Sequence, residues 1–260
     1  MFVTIRPTDL YEAAKGTQKE DNPIHAISDF SKKITWWVTT EIISTPHLKK
    51  RTVTLNNFIR LIMRLLELNN FHGAMDVYVG VNHYLVGRLK KTWKGVDKAL
   101  QIQWRQLNEL LSPIGSWGNL RRRITASTPP LVIPPAVFLH DMIAIIENDD
   151  YWDDEHRLLN FHKMRLFAGV MKSVFRCQTE NYQLVTVPVI EEYLRKHVLI
   201  LSESELEQEV LCLQVQEKGS KESGRTHSNS AGVSMLKISS SGSISRKEKK
   251  DKDKDKSKEK

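Results

Sequence analysis

The sequence predicts an all-α protein: one large helical domain over residues 1–215 with a protruding helical hairpin, and a disordered C-terminal tail over 216–260. Three observations predict it. Apolar residues return at helical spacing in several separate stretches. Alternating runs are few, and no Asn-Gly or Asp-Gly pair marks a β-hairpin turn. From Gly219 the chain turns to serine, glycine and lysine and closes on KEKKDKDKDKSKEK, with too little apolar surface to offset the entropy of ordering it.

Taken in order, Leu55, Phe58, Ile59, Ile62, Met63 and Leu66 form one apolar helical stripe, and Leu100, Trp104, Leu107 and Leu111 repeat the spacing. Thr128 to Pro135 reads as a stiff extended approach, because each proline fixes its own φ and drives its predecessor out of the α region. It leads into Ala136–Glu147, a helix apolar on more than one face. Asn148-Asp149-Asp150 is turn chemistry, and Asp153-Asp154-Glu155 suits the start of a following helix, favoured by its dipole. That helix is expected to return through Leu158-Leu159-Asn160-Phe161, with Leu159, Leu166, Val170 and Val174 as its stripe and Phe167 and Met171 widening it. The two limbs make a helix hairpin with a short connection. Leu184 to Pro188 alternates, but its proline confines it to a strand edge or a loop. Ser202 and Glu205 have capping-box spacing ahead of Leu206, Val210 and Leu211.

Composition excludes several classes of function. With 260 residues, 40% hydrophobic and 27% charged, the chain is neither collagen-like nor wholly disordered. No window approaches the ~18–20 apolar residues of a membrane span, and no signal peptide is read. Two cysteines, Cys177 and Cys212, are too few for a disulfide framework or a cysteine-rich zinc site, so a reducing, cytoplasmic setting is expected. Of the net charge of +8, Gln216–Lys260 holds +6, from 13 basic and 7 acidic residues, leaving 26 basic and 24 acidic residues elsewhere. A body so nearly balanced argues against a nucleic-acid groove. The tail could tether weakly to acidic lipid, although each base in its last run has an acid beside it.

Phosphate-cradling glycine motifs and the common zinc hydrolase motif are absent. His140-Asp141 adjoins Glu147, Asp149, Asp150, Asp153, Asp154, Glu155 and His156, a set that on paper could hold a cation; solvated helix ends account for it better, and no metal or cofactor is expected. The tip of the hairpin, Ile145-Ile146-Glu147 followed by polar turn residues, could instead present apolar and acidic groups together to a partner.

The same chain resembles the catalytic domain of Ras-type guanine nucleotide exchange factors from Phe2 to about Val215. The resemblance is carried, in order, by Ile5-Arg6-Pro7-Thr8-Asp9-Leu10, Trp37-Val38-Thr39-Thr40-Glu41-Ile42-Ile43, Glu67-Leu68-Asn69-Asn70-Phe71, Arg88-Leu89-Lys90-Lys91-Thr92-Trp93, Asn119-Leu120-Arg121, Pro129-Pro130, Leu159-Asn160-Phe161 and Lys163-Met164-Arg165. It implies an all-helical fold that binds a small GTPase of the Ras superfamily, of Ras, Rap or Ral type, and expels its GDP without covalent chemistry. Phe138–Glu147 becomes the leading limb of a hairpin inserted between the switch regions, and Leu159–Cys177 the returning limb. Ile143 is expected to occlude the GTPase's metal site, and Glu147, one turn later, to replace a phosphate interaction. Met75, Asn82, Trp117 and Leu139 are expected to face the GTPase. Recruitment to the inner face of the plasma membrane would be peripheral.

The sequence departs from the family at three places. Ile133-Pro134-Pro135-Ala136 stands where the family carries a proline, an aromatic or leucine, and a glycine. Asn148-Asp149-Asp150 stands where Glu-Gly-Asn is common. Met1 falls inside the motif that follows the family's first helix, so that helix is expected to be missing. These departures keep open an exchange-inactive GTPase-binding or scaffold module of the same fold. Ile143 as core and Glu147 as a solvated helix end are the plainer readings of the residues.

Overall fold

The computed structural model describes residues 4–17, 21–148, 152–153 and 158–222. Twelve α-helices dominate the described residues: α1 (Pro7–Ala14), α2 (Pro23–Ile43), α3 (Leu48–Glu67), α4 (Phe71–Val81), α5 (Tyr84–Gly87), α6 (Lys90–Gly95), α7 (Lys98–Leu111), α8 (Ile114–Ala126), α9 (Pro135–Glu147), α10 (Phe161–Arg176), α11 (Pro188–Glu192) and α12 (Glu203–Glu222). The all-α reading therefore holds. Helix α12 runs past residue 215, and the tail beyond Glu222 lies outside the described residues. No helix among the described residues is long and apolar enough to cross a membrane.

The sequence stripes pack as their periodicity requires. Leu55, Phe58, Ile59, Ile62 and Leu66 of α3 are buried, as are Leu100, Leu107 and Leu111 of α7. The tightest junction is α2 on α4, where Gly80 lets α4 approach the backbone of α2; a Cβ there would stand 2.7 Å from the Thr35 carbonyl oxygen and 2.7 Å from Val38 Cβ. Thr39 Oγ1 bridges the same junction, donating to the carbonyls of Thr35 and Gly80 at 3.0 and 3.1 Å. Ser202 and Glu205 form their capping box: the Ser202 amide donates to Glu205 Oε2 at 2.7 Å, and the Glu205 amide to Ser202 Oγ at 3.4 Å. Leu184–Val187 is an exposed loop.

The family motifs have local structural causes. Asn69 turns into the left-handed region at φ 55° to end α3, and its side-chain amide donates to the Thr128 carbonyl at 3.1 Å. Asn70 caps α4 by accepting from the Gly73 amide at 2.9 Å. Phe71 is fully buried. The extended approach docks on this corner: the Val132 amide donates to the Asn69 carbonyl and the His72 amide to the Val132 carbonyl, at 3.0 and 3.1 Å. The start of α4 and the start of α9 are thereby tied together.

Between the hairpin limbs the expectation needs correction. Leu158–Leu159 is extended and pairs antiparallel with Trp152–Asp153; α10 begins only at Phe161. The connection therefore runs over residues 148–160, and Asp153 starts no helix; Asp154 and Glu155 lie outside the described residues. Asn160 caps α10 instead, accepting from the Lys163 amide at 3.0 Å. Only Val170, Met171 and Val174 of the expected stripe are buried, whereas Leu159 and Leu166 are exposed. The stripe counted residues that belong to an apolar surface at the hairpin tip.

Candidate functional site

Helix α9 opens on Pro134 and Pro135, which supply a preset φ where no amide partner is needed. Phe138 and Met142, four residues apart, are buried, and α9 packs on α1 and α10. The opposite stripe of Ala136, His140, Ile143 and Glu147 is exposed. Ile143 and Glu147 therefore share a face one turn apart, and no described residue pairs with the Glu147 carboxylate. Ile143 is 38% exposed, which sets aside its reading as core.

Two anchors hold this limb. At its middle, the Arg121 guanidinium on α8 makes a two-pronged pair with Asp141, Nη1 and Nη2 each 2.7 Å from a carboxylate oxygen. The same guanidinium donates to the carbonyls of Ser116 and Val137 at 2.7 and 3.3 Å. At the end of α9, Lys163 of α10 is buried and its ammonium donates to the carbonyls of Ile146 and Asn148, at 3.2 and 2.9 Å. These are acceptors that a helix leaves unsatisfied at its C-terminus, where the dipole favours a cation.

Trp117 reaches the site through an unusual backbone. Gly115, Ser116 and Trp117 all take left-handed φ values of 63°, 51° and 58° at the start of α8. For the two residues with a Cβ this conformation is costly. It lays the half-buried Trp117 ring edge-on against His140, centroids 5.9 Å apart. Leu139 is half-buried beside that contact. Trp117, Leu139, Ile143 and Glu147 thus gather about α9. Met75, half-buried, stands on α4, and Asn82, exposed, caps the C-terminal end of that helix seven residues later.

The returning limb adds exposed apolar groups: Leu158, Leu159 and Leu166, with Phe161 70% exposed. Exposed apolar residues of this kind on the limb that returns from α9 are the material from which the core of an interface is made. No group of three or more His, Cys, Asp or Glu residues is placed to hold a metal among the described residues.

Sequence reasoning placed Arg121 and Lys163 only within the family motifs and Asp141 only within the set that could hold a cation, and gave none of the three its anchoring role. Lys163 had a readable signal: it lies seven and eleven residues before Val170 and Val174, a lysine on an apolar stripe. Asp141 had none, because its partner is twenty residues away on another helix.

A family model described as the RasGEF domain matches residues 1–165. Ras guanine nucleotide exchange factor Q of Dictyostelium discoideum is 32% identical over 203 residues, covering 76% of this chain and 15% of that protein. Exchange factor M of the same organism is 30% identical over 211 residues, covering 79% and 23%. Exchange factor D is 26% identical over 195 residues, covering 75% and 29%. The chain therefore spans less than a third of the length of these relatives.

Proposed function

The chain belongs to the RasGEF domain family, and we propose that it binds a Ras-superfamily small GTPase, of Ras, Rap or Ral type, and promotes release of its GDP. The observation that carries this reading is the presentation of Ile143 and Glu147 on the exposed face of a limb held at its middle and its end. Exchange requires no bond to be made or broken. The factor must bind the nucleotide-free GTPase better than the loaded one, a coupling between two ligands of one protein. GDP leaves behind backbone donors and a lysine that had held its phosphates. The Glu147 carboxylate satisfies donors of that kind, and the Ile143 side chain excludes Mg²⁺ from its site on the GTPase. Met75, Asn82, Trp117 and Leu139 supply the surrounding contact, with the exposed leucines and Phe161 of the returning limb. Residues 1–215 form the exchange domain, with α12 running on to Glu222; the protein works in the cytoplasm, recruited peripherally to the inner face of the plasma membrane.

A second reading, docking without release, is favoured by one observation. Ile133, Pro134 and Pro135 are buried and Ala136 is small, so the approach offers no aromatic group to the GTPase. Release of labelled GDP from a panel of Ras, Rap and Ral proteins separates the two. Stimulated release sustains exchange; binding without release sustains the second reading. Within an active pair, Glu147→Ala removes a charge-assisted contact of about 1.5–3 kcal/mol, an expected slowing of about 10- to 150-fold. Stability should stay within about 0.5 kcal/mol, because the side chain is exposed. Full release by this variant would remove Glu147 from the mechanism.

A further inference from the structure

We infer that Lys163 is a positioning residue for Glu147, fixing the backbone from which that carboxylate is presented; the inference rests on the exchange reading above. An ammonium costs several kcal/mol to bury unless strong acceptors meet it. Lys163 is 2% exposed, and the acceptors that meet it include the carbonyls of Ile146 and Asn148. Those two carbonyls flank Glu147 in sequence. The peptide unit that enters Glu147 and the one that leaves Asn148 are therefore pinned to α10, while the Glu147 side chain stays in solvent.

The pin is itself fixed. The Lys163 amide is held by the Asn160 side chain that caps α10, so the ammonium projects from the first turn of one limb to the last turn of the other. It spans the connection over residues 148–160 at its base. Asn148 tightens the same turn, its side-chain amide donating to the Ala144 carbonyl at 2.6 Å. Loss of the ammonium leaves the end of α9 free to fray, and a misplacement of about 1 Å in a positioned group can cost about 100-fold in rate.

The test compares Lys163→Met, Lys163→Gln, Glu147→Ala and the double variant Glu147→Ala/Lys163→Met in labelled-GDP release from the panel GTPase most strongly stimulated by the wild type. Lys163→Met should slow release by about 10- to 100-fold. Amide hydrogen exchange should quicken in the last turn of α9, and Lys163→Gln, which keeps a donor, should lose less. The double variant should match Glu147→Ala within about twofold, because Lys163 acts only through a group already removed. Additive losses, or undiminished release by both Lys163 variants, overturn the assignment while leaving the exchange reading intact. Wild-type release by Glu147→Ala removes Glu147 from the mechanism and overturns the assignment with it, whereas failure of the wild type to stimulate any panel GTPase overturns the exchange reading. Where circular dichroism shows Lys163→Met unfolded, the same cycle is run with Lys163→Gln and decides by the same criterion.

Discussion

Replacing Asp76 by asparagine should leave the protein unchanged near pH 4 and below and stabilise it increasingly from there to neutral and alkaline pH. Asp76 sits in α4 beneath an apolar groove of about 420 Å³ that Phe30, Ile34, Trp37, Leu61 and Leu65 help to line. Its carboxylate meets His72 Nε2 at 3.5 Å, and Ser31 Oγ stands 3.1 Å from the same nitrogen. Burial pushes Asp76 up to about 7, with a hydrogen bond from Ser31 pulling the other way, and burial pushes His72 down to about 4. A carboxyl raised in the folded state contributes its stability below its unfolded value near 3.8 and loses it as pH climbs through 7. At about 1.4 kcal/mol per pH unit, ionising Asp76 costs on the order of 4 kcal/mol. A histidine lowered in the folded state does the reverse: stability rises with pH between about 4 and 6.5. The two slopes nearly cancel there, so wild-type stability should be flat from about pH 4 to 6.5 and fall towards pH 7 and just above. Asparagine keeps the shape and removes the charge. The His72 slope is then uncovered, and the variant should gain on the order of 3 kcal/mol across that window and hold it at pH 8. Urea unfolding followed by tryptophan fluorescence at pH steps from 4 to 8.5 reads both profiles. A variant profile parallel to the wild type would refute the reasoning.

Two further outcomes follow from packing. Gly80→Ala should gain about 1 kcal/mol of helix propensity but force a Cβ against the Thr35 carbonyl and Val38, for a net loss of about 2 kcal/mol in urea unfolding; a stabilised variant would contradict the packing of α2 on α4. Asp141→Asn breaks a two-pronged pair whose side chains are 30% and 35% exposed, between the exposed and buried extremes, so a loss of about 1–2 kcal/mol is expected. Release of labelled GDP should slow in the same variant, and an unchanged rate would show that the Arg121 anchor does not govern the limb.

Much of the fold was legible in order along the chain. The helices of the core, the box at Ser202 and Glu205 and the limb beginning at the proline-rich approach all follow from local rules of spacing, capping and backbone restriction, each of which acts within about a dozen residues. The exposed pair Ile143 and Glu147 could be named because four-residue spacing places two side chains on one helix face wherever the helix lies. The same rule misassigned Leu159 and Leu166. Periodicity reports that apolar residues share a face and is silent on whether that face meets the core or a partner.

The sequence by itself determined the helical class, the family resemblance and the helix face shared by Ile143 and Glu147, the two residues proposed for exchange. Only the tertiary structure decided that this limb is clamped by Arg121 from α8, that Lys163 reaches from α10 to the carbonyls flanking Glu147, and that Trp117 lies against His140. Each of those contacts joins groups on different helices, whose separation along the chain carries no record of their distance in space. An ion pair or a buried ammonium is stable only where the whole packing excludes water and brings its acceptor within hydrogen-bond reach, and that condition belongs to the folded molecule rather than to any stretch of its sequence.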